Sequence, residues 1–537
     1  MRPRCSSLAP LLMACGLISG QVSVQNPSHG LVNPIRGPRH HVTGTVVNSV
    51  TGEPIRRALV RANGAETHTG FTGPDGRFEL IDIPEGQVVL SAERPGFLDP
   101  RSSGSPVLSS PTNVVQVGPA TKDVVLQLMP DAKIRGRVVD DSGETVENLS
   151  VMLFAREIVE GRKQWMPRGQ ASSDDTGAYS FEDLAPGFYA MRTVPYPLPA
   201  VSSSESVTTR SEVLATKYYP DAPDLDSVQP MELKPGEEQE IDFALSPVRS
   251  FTVSGTAVGF EHSPVAYCSD EYGQQIAAGT HVDSHTGKFK IVNVPRGLWV
   301  IHLQTNGPQG QFFTAEQPVE VTASDVTGLR IQPQSLAPIP VRVLNASEFH
   351  SQVQLELVPA RANMRGTIQP YAKPGDPPGS LEFHDVGPGT YKLLARVYGN
   401  DGACVESARS GGTDLSRDDL MVTAGAPPAP VEITLRSDCA AISGSVRFPS
   451  DIQQTTGFVI LVGDSSLRAP DPISVGADGK FSFKNVTPGA YRVYAFSDIA
   501  GLEFANPEVL RDLPSQEVNV TANEKSTVQL DLIARGK

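Results

Sequence analysis

Five times along the chain a glycine is followed by apolar residues at +2, +4 and +7, a second glycine at +10, and Val, Tyr or Trp at +12. The sets are Gly76/Phe78/Leu80/Ile83/Gly86/Val88, Gly177/Tyr179/Phe181/Leu184/Gly187/Tyr189, Gly287/Phe289/Ile291/Val294/Gly297/Trp299, Gly379/Leu381/Phe383/Val386/Gly389/Tyr391 and Gly479/Phe481/Phe483/Val486/Gly489/Tyr491. Apolar residues alternating with polar ones mark a strand with one buried face. The stretch between the two alternating runs, Asn485 to Gly489 in the last copy, reads as the turn of a β-hairpin. A chain that keeps this register five times is restricted to a series of β units.

The repeat glycines lie 101, 110, 92 and 100 residues apart, so each unit is the size of a small domain. Strand signals before and after each hairpin bring the count to about seven per unit, as in a two-sheet antiparallel sandwich. The 48 Gly and 46 Pro suit many short strands joined by turns. The expected architecture is all-β: five tandem antiparallel β-sandwiches in a semi-rigid rod, with short junctions at Met129-Pro130 and Ser246-Pro247. The boundaries read as 42–130, 131–247, 248–335, 336–437 and 438–537, the fourth unit being the most divergent because its opening strand, Ile339 to Val343, lacks a glycine. A signal segment over 1–20 and a flexible lead-in over 21–41 precede them.

The formal net charge of −15 excludes the basic surface on which nucleic-acid affinity rests. Met1-Arg2-Pro3-Arg4 followed by an apolar run from Leu8 to Ile18 has the form of a secretory signal, too short to span a bilayer. A lipid anchor at Cys15 is a weaker reading of the same segment. The mature protein is expected to be exported, to the periplasm, cell surface or beyond, and peripheral to the membrane at most. In that oxidising setting Cys404 and Cys439 are placed to pair as a disulfide, leaving Cys268 as a small core residue.

The opening G-x-V strand, the turn Thr51-Gly52-Glu53-Pro54, the D-G-x-F-x-L hairpin at Asp75 and the closing alternating pair ending in Val124 to Leu128 resemble the carboxypeptidase regulatory-like domain. Such domains are transthyretin-like sandwiches, similar to collagen-adhesin B-type repeats and to the carbohydrate-binding-like fold group. The first, second and fifth units carry the resemblance best. It implies the fold strongly and function hardly at all; no peptidase domain accompanies it here.

The chemistry-bearing residues are sparse. His281 and His285 lie over 10 Å apart if the segment is extended, without a third ligand pattern. Asp174-Asp175 and Asp221, Asp224 and Asp226 match no full calcium loop and suit turns instead. No nucleophile elbow, P-loop or zincin motif occurs, and isolated Ser, His and Asp fall in different units, so neither catalytic residues nor a cofactor or metal are expected. Trp165, Tyr218 and Tyr219 stand out because they sit in the long insertions of the second unit, where flat rings could stack on sugars. The expected function is a non-enzymatic exported binding or spacer protein whose partner is a carbohydrate or a cell-envelope protein. The alternatives are carbohydrate binding through the second repeat and an accessory role in an envelope or transport complex.

Overall fold

The computed structural model of the protein describes residues 38–534, apart from 100–112, 199–211, 307–311, 334–337, 347–351, 361–366, 399–401, 450–455, 464–471 and isolated stretches of one or two residues. The expected signal segment, the Cys15 anchor and nearly all of the lead-in lie outside the described residues. Among those described, the regular secondary structure is almost entirely β-strand, with one four-residue helix at Pro507–Leu510. No described helix is long and apolar enough to cross a membrane.

The repeated register does not form a hairpin. In the first repeat Arg77–Pro84 pairs with the opening strand Arg39–Asn48, whereas Gly86–Glu93 pairs with Leu59–Asn63 and Asn113–Val117 in a different sheet. In the last, Lys480–Val486 pairs with Ala440–Arg447, and Gly489–Phe496 with Gly457–Gly463 and Gln516–Val520. Each turn is therefore an arch that carries the chain from one sheet to the other, so that its two apolar runs face each other across the core. The cause is backbone conformation at +6: Asp82, Asp183, Asn293, Asp385 and Asn485 all have φ between +55° and +63°. Asp and Asn tolerate this left-handed region best among residues with a Cβ. Beside it the ladder slips, as between His40 and Val42, and such a bulge bends the strand out of its sheet.

The first glycine of the register is equally determined. All five have φ between +64° and +83°. A Cβ there would lie 2.4–2.8 Å from a carbonyl oxygen of the opening strand, as at Val46, Val138 and Val446. The opening strand then pairs in parallel with the last strand of its repeat: Arg39–Asn48 with Val124–Pro130, Pro247–Ala257 with Val326–Ile331, Ile339–Leu344 with Val431–Arg436, and Ala440–Arg447 with Lys525–Asp531. One parallel pair thus enters sandwiches that are otherwise antiparallel. It leaves each unit's last strand running in the direction of its first, which suits tandem repetition.

The joints differ from those of a rod. Glu212–Leu214 of the second repeat pairs with Pro247–Ala257, the opening strand of the third, so one sheet crosses that boundary. One buried cluster likewise combines Met152, Phe154, Ala190 and Val194 with Val253, Ile291, Ile301 and Leu303. The second repeat also reaches the fifth: Ala505 N–H donates to Gly161 O at 2.9 Å, and Lys163 Nζ lies 3.1 Å from Glu503. An end-to-end row would hold those two apart. The expected rod is replaced by a folded-back arrangement, because the hairpin tip around Gly161 is long enough to pack on Phe504.

Candidate functional site

The rings singled out in the second repeat do not make one platform. Trp165 and Tyr218 are half-buried against the cluster shared by the second and third repeats. Tyr219, the next residue on the same short strand, points to the opposite side, into the core of its own repeat, with its ring edge-on to Phe243 at 6.4 Å. Burial raises the Tyr218 phenol above its ordinary range, against the pull of the Arg192 guanidinium that hydrogen-bonds it. The remaining sequence candidates sit in turns. Asp174 Oδ1 accepts from the Thr176 hydroxyl at 2.7 Å and the Ala178 N–H at 2.9 Å, and Asp224 accepts from Ser227. His281 lies on Gly279–Val282, and His285 lies in the turn that follows. Among the described residues no three His, Cys, Asp or Glu side chains are grouped to hold a metal ion.

Cys404 and Cys439 are joined by a disulfide with Cα atoms 6.0 Å apart. Cys439 immediately precedes the opening strand of the fifth repeat, so the bond ties the fourth repeat to the fifth. Beside it the Thr487 hydroxyl donates to Val405 O at 2.9 Å. Cys268 is a buried free thiol, and burial raises it to about 12.

Two polar constellations went unread in the sequence. At the joint of the second and third repeats, Arg192, only 2 % exposed, lies 2.5 Å from Asp270 across the boundary. Its guanidinium also stands over the rings of Phe154 and Tyr272 at 5.6 and 5.2 Å. Asp270 in turn caps its own loop, accepting from the Tyr272 and Gln274 N–H groups at 2.9 Å. A charge pair this dry locks an orientation more than it adds stability.

The second constellation occupies a cleft of about 400 Å³ between the third and fourth repeats. Ser269, His302 and Glu316 line it from one side, and Pro388, Thr390 and Tyr391 from the other. Sheet register brings the first three together. His302 is directly opposite Tyr267 on one neighbouring strand and Glu316 on the other, and Ser269 follows Tyr267 by two residues on the same face. Ser269 Oγ is 2.8 Å from His302 Nε2, and His302 Nδ1 is 3.5 Å from Glu316 Oε1. The Tyr267 ring stacks on the imidazole at 4.4 Å and 4°. The alternation in Val265–Ser269 and Gly297–Asn306 was the available signal, since it puts Tyr267, Ser269 and His302 on the face away from Cys268 and Ile301. Which strands are neighbours, and in what register, had to come from the fold.

These sheets and arches define a multi-domain β-sandwich protein with conserved geometry between its own repeats. The family model of the carboxypeptidase regulatory-like domain matches residues 41–125, the first repeat. No curated protein matches the chain. Among solved structures it is similar to the Bacillus anthracis TIE protein at 14 % identity and TM-score 0.17, over 55 % of this chain and 51 % of that one. The streptococcal ancillary pilin aligns at 10 % identity and TM-score 0.17, over 55 % of this chain and 100 % of the pilin. A minor pilin of Streptococcus agalactiae aligns at 13 % identity and TM-score 0.18, over 40 % and 99 % of the respective chains. No inference about function follows from likenesses this distant.

Proposed function

We propose that the protein is an exported multi-domain scaffold that holds or spaces an envelope partner at the cell surface, its primary task being structural. Its units are those bounded at 42–130, 131–247, 248–335, 336–437 and 438–537. The observation that carries the reading is the Cys404–Cys439 disulfide across the joint of the fourth and fifth repeats. Such bonds persist in oxidising compartments, and here the bond restrains a joint between units. The buried Arg192–Asp270 pair supports the same reading at another joint. Carbohydrate binding through the second repeat is not favoured, because Trp165, Tyr218 and Tyr219 are half-buried and face two different cores.

Fractionation without reductant, followed by alkylation and peptide mapping, tests this reading. Cys404 and Cys439 should be protected until reduction, in protein recovered outside the cytoplasm. Both thiols alkylated at once, or intact leader on cytoplasmic protein, would overturn it.

A further inference from the structure

Between the third and fourth repeats, Ser269, His302 and Glu316 have the order and roles of a nucleophile, a base and an orienting carboxylate. We propose that this cleft is an acyl-transfer site that hydrolyses small neutral or cationic esters through Ser269. The inference goes beyond the scaffold reading and does not depend on it.

Geometry is the first support. A nucleophile–base distance of 2.8 Å is within the reach that proton transfer needs, and a carboxylate faces the other nitrogen of the base without hydrogen-bonding it. The Nδ1–carboxylate distance of 3.5 Å is long for a hydrogen bond, as catalytic contacts commonly are before substrate binds. Glu316 beside Nδ1 favours the tautomer with the proton on that nitrogen, which leaves the Nε2 lone pair for the Ser269 hydroxyl. A competing acceptor exists in Asp270 O, but at 3.1 Å from Oγ it is the longer contact. The stacked Tyr267 ring and the paired strands on both sides restrain the imidazole on rigid elements, where a site of this kind is most accurately held.

Surroundings supply the second support and the substrate class. Ser269 and His302 are 1 % and 5 % exposed, so the reacting atoms are shielded from bulk water beneath the floor of the cleft, which must widen before an ester can reach Oγ. Its volume of about 400 Å³ admits a small ester and excludes a polymer chain in depth. Among the described residues its lining holds Asp270, Glu271 and Glu316 and no Lys or Arg; Arg192 offsets the charge of Asp270, and the other two carboxylates repel an anionic substrate.

In the reaction Oγ of Ser269 bonds to the ester carbonyl carbon while its proton passes to Nε2 of His302. The carbon–oxygen bond to the leaving alkoxide breaks, and that proton goes to it, releasing the alcohol. Water then attacks the acyl-serine, gives a proton to Nε2 and forms the carboxylic acid as the Oγ–carbon bond breaks, and the proton returns to Oγ. Water is the one co-reactant.

The test uses the full exported chain and a small fluorophosphonate with methyl or ethyl substituents. Mass mapping should place the adduct on Ser269, with no adduct in Ser269→Ala. p-Nitrophenyl acetate should be hydrolysed about 10²-fold or more faster than by Ser269→Ala, the low end of what a positioned base supplies. Glu316→Gln should lower kcat more than it alters KM, and acetylthiocholine should be preferred to an anionic ester. Absence of an adduct on Ser269 in the wild-type chain, labelling elsewhere alone, or equal ester turnover in Ser269→Ala would overturn the proposal. The wild-type mapping needs no variant to fold, and such a result leaves the scaffold reading untouched.

Discussion

A glycine in four of the opening strands and an aromatic ring belong together. Gly44, Gly136, Gly255 and Gly444 stand directly opposite Phe78, Tyr179, Phe289 and Phe481 in the ladder. At Gly44 and Gly444 a Cβ would meet the facing ring at 2.6–2.7 Å. The fourth repeat has Val341 opposite Leu381, so loss of the glycine accompanies loss of the ring. The divergent unit has exchanged a large–small pair for a medium–medium one at similar volume. Val341→Gly should therefore destabilise that unit by about 1–3 kcal/mol, as other large-to-small core changes do. Adding Leu381→Phe should recover a good part of the loss, since contacting residues couple. Hydrogen exchange over 380–383 would measure both; an unchanged or larger loss in the double variant would contradict the pairing. Gly479→Ala should cost more than about 2 kcal/mol, because a left-handed φ of +64° and a 2.4 Å approach to Val446 O act together.

The arch is the element that defines each unit, and in four of the five the +12 side chain locks it. Tyr189, Tyr391 and Tyr491 donate their hydroxyls to the carbonyl four residues back at 2.5, 2.9 and 2.6 Å, and Trp299 does so through Nε1 at 2.8 Å. Tyr491→Phe should cost about 1 kcal/mol, the net value of one such bond. A loss near zero would show the hydroxyl to be incidental. At the joint of the second and third repeats, Arg192→Met leaves Asp270 buried without its counter-charge and should destabilise by about 3–5 kcal/mol. Cys268 is the reporter for that joint, being a buried thiol whose alkylation requires opening. If the two repeats unfold as one unit, Arg192→Met should accelerate alkylation of Cys268 in the third repeat even though the substitution lies in the second. An unchanged alkylation rate would mean that the units open separately.

At the scale of the whole molecule, the contact between the second and fifth repeats sets the arrangement of the chain. Burial raises the Glu503 carboxyl, yet the Lys163 ammonium and the Lys163 N–H that bond it outweigh that effect and hold it below the ordinary carboxylate range. A carboxyl depressed in this way stabilises the closed contact fully above its ordinary pKa, and the contribution is lost as pH falls through the depressed value. Acidification through the carboxylate range should therefore expand the molecule in small-angle scattering, and Glu503→Gln should expand it at neutral pH. Equal dimensions in both conditions would show that the apolar packing at Gly161 and Phe504 suffices. Reducing Cys404–Cys439, which spans 35 residues, should lower the stability of the fourth and fifth repeats by about 4 kcal/mol in the chain-entropy model, read from their thermal transitions with and without reductant.

The sequence by itself determined the strand content, the inward face of each repeated strand and the period of the units. Those follow from a two-residue alternation and from glycines that local sterics require, information carried within a dozen residues. Phe78, Phe289, Phe481, Trp299 and Tyr491 are accordingly buried where the alternation put them. It did not determine that each pair of runs arches between sheets, because Asn485 in a tight hairpin and Asn485 in an arch leave the same alternating pattern on both sides. Nor did it bring Ser269 to His302 and Glu316, or Arg192 to Asp270, or Gly161 to Ala505. These depend on the register of strands distant in the chain and on one unit packing against another, and such pairings are selected by the summed burial of whole faces. Trp165 and Tyr218 were legible as exceptions to the repeat, but what covers them is a neighbouring unit, and that only the tertiary structure decides.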